Sequence, residues 1–170
     1  MKKLSVVAAI LIVTLCFFKT EEVIIPNDSI RFRVIANSNS IKDQLVKKEI
    51  VNTLNNNLTT ITSNNTLEEV RNNIKKELPI IEENLNTTIK QLKYNKNINI
   101  DYGQNYFPEK YYKGVLYPAG NYESLVITIG DGLGKNFWCV LFPPLCNIDE
   151  DITEYEYTTL IKEIIKKYKE

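Results

Sequence analysis

Apolar residues recur at intervals of three and four from Leu67 to Leu92, through Val70, Ile74, Leu78, Ile81, Leu85 and Ile89. That spacing lines one face of an α-helix, the side that faces a core. Thr66-Leu67-Glu68-Glu69 places a hydroxyl and a carboxylate three residues apart, a capping box for its start. Pro79 interrupts the stretch, yet the stripe keeps its phase beyond it, which predicts one long kinked helix or two collinear ones. A shorter stripe of Val46, Ile50, Leu54 and Ile61, with Val51 and Leu58 beside it, predicts a helix that starts at the capping pair Ser40 and Asp43. The Asn55-Asn56-Asn57 run has weak helix propensity and is expected to fray its end. From Thr153 to Lys169, Tyr157, Ile161, Ile164, Ile165 and Tyr168 share one side. Lys166, Lys167 and Lys169 fall in that helix's last turn, where the helix dipole favours cations.

Elsewhere the period is two, the mark of a strand. In Ile30–Ala36, Phe32, Val34 and Ala36 point one way and Arg31, Arg33 and Ile35 the other. Asn97–Tyr106 alternates through Ile98, Ile100 and Tyr102. Gly114–Tyr117 is a short strand, and Tyr122–Ile129 turns Leu125, Ile127 and Ile129 inward. Phe137–Phe142 is apolar on both sides, with Phe137, Cys139 and Leu141 opposite Trp138, Val140 and Phe142. Such a strand is either central and covered twice, or carries an exposed contact patch. Pro118-Ala119-Gly120-Asn121 and Gly130–Asn136 read as turns. The order of elements predicts an α+β fold, a mostly antiparallel sheet of about five strands with helices packed on it.

Residues 1–19 read as an export segment: Met-Lys-Lys, an apolar run from Leu4 to Phe18, then Lys19. As a helix that run rises only ~22 Å, short of the ~30 Å of a bilayer core, which favours a cleaved signal over a permanent membrane anchor. Residues 20–29 read as a linker with a turn at Pro26-Asn27-Asp28, and residues 30–170 as a single α+β domain.

Lys plus Arg and Asp plus Glu stand equal at 21 each, which argues against a nucleic-acid partner. The chain has no His. Ser-His and Cys-His nucleophile pairs are therefore excluded, and three Cys cannot make a four-Cys zinc site. No cofactor or metal is expected. Gly130-x-Gly132-x-Gly134 lacks the following helix that a phosphate loop needs, so it reads as a hairpin loop. Cys139 and Cys146 could be a disulfide in an exported chain or a pair of reduced core residues, and neither reading is preferred. Asp101, Glu109, Glu123 and Asp131 lie in the strand region, where two facing carboxylates could hydrolyse a glycosidic bond. Tyr102, Tyr106, Phe107, Tyr111, Tyr112, Tyr117 and Tyr122 form an aromatic cluster, better read as core or binding surface than as chemistry.

Two blocks carry a resemblance. Ile30-Arg-Phe-Arg-Val-Ile-Ala-Asn-Ser-Asn-Ser40, followed by Asp43-Gln44, is one. Tyr117-Pro-Ala-Gly-Asn-Tyr-Glu-Ser-Leu125 is the start of the other, which continues from Gly130 to Trp138-Cys-Val-Leu-Phe-Pro-Pro-Leu-Cys146. Together they resemble the stage II sporulation protein R family over residues 30–148. Asn39 departs from the family pattern, which more usually has an acid there. The resemblance implies a signal made in the forespore and exported to the space between forespore and mother cell membranes. There it would activate a membrane-embedded aspartic protease, which then removes the pro-segment of the sigma-E factor. It implies a signalling domain over residues 30–170, a protease activator and not an enzyme, with membrane contact through the N-terminal segment. Receptor contact is expected through the loop residues Asn37, Ser38 and Ser40, or through Tyr117, Tyr122, Trp138 and Phe142 of the second block. The alternatives are an exported cell-wall hydrolase using Glu123 and Asp131, and a thiol-redox protein built on Cys139 and Cys146.

Overall fold

A computed structural model of the chain describes residues 23–63, 66–146 and 152–169. The export segment read over residues 1–19 lies outside them, as does the acidic run Asp149–Asp151. The elements run β1 (Val23–Ile24), β2 (Ile30–Ile35), α1 (Ile41–Thr62), α2 (Leu67–Gln91), β3 (Ile98–Phe107), β4 (Lys110–Tyr112), β5 (Val115–Tyr117), β6 (Gly120–Ile129), β7 (Asn136–Phe142) and α3 (Glu154–Lys169).

The fold is α+β, but the single, mostly antiparallel sheet of about five strands is corrected to two mixed sheets, one of three strands and one of four. The larger has the order β3-β6-β2-β7. Its outer pairs are antiparallel, whereas β2 and β6 run parallel, with Phe32 opposite Leu125 and Val34 opposite Ile127. Parallel neighbours need a long crossover. Here two helices and three strands intervene between them, and alternation within a strand carries no information about pairing over that distance. The smaller sheet has the order β1-β5-β4, with β1 parallel to β5.

Helices α1 and α2 pack on one face of the larger sheet. Ile50, Leu54, Ile74, Ile81 and Leu85 meet Phe32, Val34, Leu125, Ile127 and Ile129 in one fully covered core. Each such side chain contributes about 1.5–3 kcal/mol by leaving water. The capping box at Thr66 forms in both directions, and α2 is continuous through Pro79. The expected fraying of α1 does not occur. The helix runs to Thr62 because Asn57 is buried against α2, where its amide donates to Glu77 at 2.8 Å and accepts from Asn84 at 3.1 Å. Paired inside a helix–helix interface, an Asn no longer competes with its own backbone.

The stretch read as a linker contains β1, and Ile25 after it is fully buried. A two-residue strand is too short to show alternation. Strand β7 is apolar on both sides because both sides are covered, yet it is the edge of its sheet and not central. Phe137, Cys139 and Leu141 face the helix-side core, and Val140 faces a second cluster with Ile25, Val115, Leu145, Tyr157 and Ile161. Phe142 departs from its expected side. Ile30 pairs with Phe142 while Arg31 pairs with Val140, so one residue bulges from β7 and Phe142 rejoins the helix-side core.

Candidate functional site

The loop after β2 and the loop before β7 interlock. Leu133 donates its amide to the Asn37 carbonyl at 3.1 Å, and Gly134 to the Ala36 carbonyl at 2.8 Å. The Asn37 side-chain carbonyl accepts from the Asp131 amide at 3.0 Å, and the Asn39 side chain from the Lys135 amide at 2.8 Å. Gly130 and Gly132 adopt φ of 56° and 65°, the left-handed region that suits glycine. A Cβ at Gly134 would collide with the Ser38 carbonyl oxygen, so the two backbones meet there only because the side chain is absent. The glycines build a backbone junction and not the expected hairpin loop, because β2 lies between β6 and β7 and the connection passes over its end.

Asp43 holds this junction from below. The Ser40 side chain caps α1 by accepting from the Asp43 amide at 3.1 Å. The Asp43 carboxylate faces the junction. It accepts from Ser38 Oγ at 2.5 Å, Tyr94 Oη at 2.6 Å and Asn37 Nδ2 at 2.8 Å. Those bonds, Ser38's first, then those of Tyr94 and Asn37, hold its carboxyl well below the ordinary range despite an opposing effect of burial. Burial and then the bond to Asp43 push the Tyr94 hydroxyl up to about 12.

On the sheet face away from α1 and α2, β2 presents Arg31 and Arg33 to a set of rings. The Arg31 guanidinium lies 3.4 Å from the Tyr122 ring centroid, and that of Arg33 lies 4.7 Å from Phe107 and 5.2 Å from Trp138. Stacked arginines of this kind gain from the ring quadrupole. Arg31 also donates to the Pro118 carbonyl at 3.3 Å. Beside this stack is a cavity of about 330 Å³, between β7 and the small sheet, lined by Arg31, Lys110, Tyr117, Trp138 and Tyr157 among others. The Tyr117 and Tyr157 hydroxyls lie 2.7 Å apart across it. Burial, then the bond to Tyr157, pushes the Tyr117 hydroxyl above its usual value, so it stays protonated.

Glu123 and Asp131 do not come together. Glu123 accepts from Arg71 Nε at 2.9 and 3.1 Å and from Tyr102 Oη, while Asp131 pairs with Lys96 at 3.2 Å. Glu123 lies within β6 and Asp131 follows its far end, and the six steps from Glu123 to Ile129 alone span roughly 20 Å. A glycosidase pair needs its carboxyls within about 5–10 Å. Burial raises the Glu123 carboxyl, but hydrogen bonds from Arg71 and Tyr102 outweigh it and leave the group lowered, the state of a structural ion-pair partner.

Of the residues read as partner contacts, Tyr117 and Trp138 line the cavity and Tyr122 lies buried beneath Arg31. Asn37, Ser38 and Ser40 belong to the loop junction, and Phe142 is a core residue against Tyr168. Asn136 opens β7 and also lines the cavity, so junction and cavity adjoin. Cys139 and Cys146 are joined as a disulfide with Cα atoms 5.2 Å apart, at the cavity's edge. The Leu145 amide closes the same turn onto the Val140 carbonyl at 3.0 Å. Reading the sequence missed Arg31, Arg33, Asp43 and Tyr94 as site residues. The two arginines left a signal, since charged residues alternating with a core face must meet something on the opposite side. Asp43 and Tyr94 left none beyond a capping pair.

Arg31, Arg33 and Lys110 thus lie against aromatic rings beside the loop junction. Among the described residues no group of His, Cys, Asp and Glu converges as a metal site. Comparison with known proteins gives this domain its family. The model of stage II sporulation protein R matches residues 26–152, and the chain belongs to that family. A curated relative, stage II sporulation protein R of Bacillus subtilis (strain 168), is 42% identical over 132 residues, covering 77% of this chain and 59% of the relative. The chain therefore spans less than two thirds of that relative's length. No solved structure matches.

Proposed function

We propose that the chain is an exported sporulation signal. Made in the forespore and moved to the space between the two membranes, it activates a membrane-embedded aspartic protease of the mother cell, which then processes pro-sigma-E. The role in sporulation rests on the family. The observation that carries the finer reading is the interlock of the two signature blocks into one surface, the junction of residues 36–40 with 131–135 beside the Trp138 cavity. A domain whose most specific residues build a rigid contact surface suits a signal better than a catalyst. The hydrolase alternative draws no support from Glu123 and Asp131, whose separation forbids concerted acid–base work.

A strain lacking this chain should stall after septation with pro-sigma-E unprocessed, and an exported copy should restore processing. Normal processing in the deletion strain would sink the reading.

A further inference from the structure

The cavity carries a charge imbalance. Arg31 is 3% exposed, and its Nη2 has no hydrogen-bond partner among the described residues. Its other contacts are the Tyr122 ring, the Pro118 carbonyl and the Ser29 hydroxyl, all of them uncharged. Lys110 stands at the mouth, its ammonium 5.7 Å from the Trp138 centroid and 5.6 Å from that of Tyr112. The ion pairs among the described residues involve Arg71 and Lys96 alone, so neither cavity cation has a carboxylate there. Burial lowers the pKa of both, the direction expected of cations removed from water without a counter-ion. A buried charge of this kind is costly until an anion reaches it.

The remaining polar groups, Asn136 and the tyrosine hydroxyls, are uncharged and can donate. Tyr117 and Tyr157 share one hydrogen bond. Two hydroxyls carry two protons, and one mutual bond uses one of them, so the other is free to point at a ligand oxygen. Apart from Asn136 and Tyr112, the rest of the lining is apolar, with Trp138, Phe107, Val140, Leu145 and the Cys139–Cys146 disulfide. About 330 Å³ accommodates a group the size of one large amino-acid residue.

We propose that this cavity binds a carboxylate carried next to an apolar side chain, the chemistry of a polypeptide C-terminus. Lys110 at the rim and the spare Tyr117–Tyr157 hydroxyl proton receive the carboxylate, Arg31 adds its charge from within the wall, where its Nη2 has no open surface, and Trp138 and Leu145 cover the side chain. A phosphate fits less well, because more than half of such a wall would offer it nothing. The assignment does not depend on the protease reading, since it concerns the isolated chain and a small probe.

Trp138 is the chain's single Trp, so its fluorescence reports the cavity directly. The test titrates the full-length chain with N-acetyl-L-phenylalanine, with its amide N-acetyl-L-phenylalaninamide, and with inorganic phosphate. The acid should give a saturable change; the amide should give none over the same range, and phosphate should not displace the acid. Lys110→Gln, an exposed position that should fold normally, should weaken the acid about fivefold or more, as loss of a charge-assisted contact does. Arg31→Met, shown by circular dichroism to be folded, should also weaken the acid by removing the charge behind the wall. No saturable response to the acid, an equal response to the amide, displacement by phosphate, or unaltered affinity in Lys110→Gln would each overturn the assignment.

Discussion

The Tyr94 hydroxyl donates to the Asp43 carboxylate at 2.6 Å, across a sequence separation of 51. It ties the segment after α2 to the first turn of α1 and, through Asn37 and Ser38, to the loop junction. Tyr94→Phe should therefore lower the unfolding free energy by about 1.5–3 kcal/mol, the range for a hydrogen bond to a charged group. A urea midpoint shifted at unchanged slope is the measurement.

The same pair shapes the pH profile. Asp43 is lowered on folding, so its contribution is complete above the unfolded value near ~3.9 and is lost as pH falls through the folded value. Tyr94 is raised from 10.0 to about 12, so its contribution is complete below 10.0 and is lost as pH rises through about 12. Unfolding measured from pH 9 upward, roughly the onset of phenol ionisation, should show a shallower alkaline decline in Tyr94→Phe than in the parent chain. Parallel declines would contradict the assignment.

Gly134→Ala tests the junction itself. Its new methyl would meet the Ser38 carbonyl oxygen, so one of the two loops must move. A cost of about 1–3 kcal/mol is expected, the range for overpacking. Amide exchange should quicken at Leu133 and Gly134, whose partners are the Asn37 and Ala36 carbonyls, while exchange in the centre of α2 keeps pace with global stability alone. Unchanged protection at both amides would refute a close-packed junction.

The Cys139–Cys146 disulfide closes a loop with a sequence separation of 7. Chain-entropy reasoning for so short a loop gives about 2–2.5 kcal/mol of stabilisation. Cys139→Ser with Cys146→Ser should lose roughly that amount relative to the oxidised chain. The oxidised parent should gain mass on reduction by a pair of hydrogens, and the double variant should not. Equal stability of the two proteins would show that the link contributes nothing.

Glu123→Gln separates the structural role of this carboxylate from a catalytic one. Arg71 and Glu123 join α2 to β6 while both remain partly exposed. A double-mutant cycle with Arg71→Met should give a coupling of about 1 kcal/mol, shrinking as salt is added. Processing of pro-sigma-E should persist in a strain carrying Glu123→Gln. Its loss, with stability retained, would return the carboxylate to the mechanism.

Local order was plain in the sequence, and long-range pairing was not. The stripe from Leu67 to Leu92 placed α2, and alternation set the faces of β2 and β6, because periodicity reports which side of an element is buried. The parallel pairing of β2 with β6 left no trace in either strand. The bulge that turns Phe142 inward depends on the register with Ile30, which no residue of β7 encodes alone. The same limit applied to the site. Tyr117 and Trp138 stood out by type, whereas Arg31 acquires its setting only when β6 brings Tyr122 beneath it. Asn57 misled because a triple Asn looks like a helix breaker until Glu77 is placed opposite it.

Strand β1 sets the length of a leash. Val23 is already paired into the sheet beside Val115, so three residues, 20–22, separate it from Lys19. The four Cα-to-Cα steps from Lys19 to Val23 can reach at most about 14 Å. In the reading proposed above, an apolar segment retained as an anchor would hold the domain against the membrane surface like a moored boat, and its search for the proposed partner in a facing bilayer would be a slide in two dimensions. Once the segment is cut, the same domain would diffuse across the gap. Lengthening residues 20–22 with a flexible insert therefore changes the reach of an anchored form and leaves a released form indifferent.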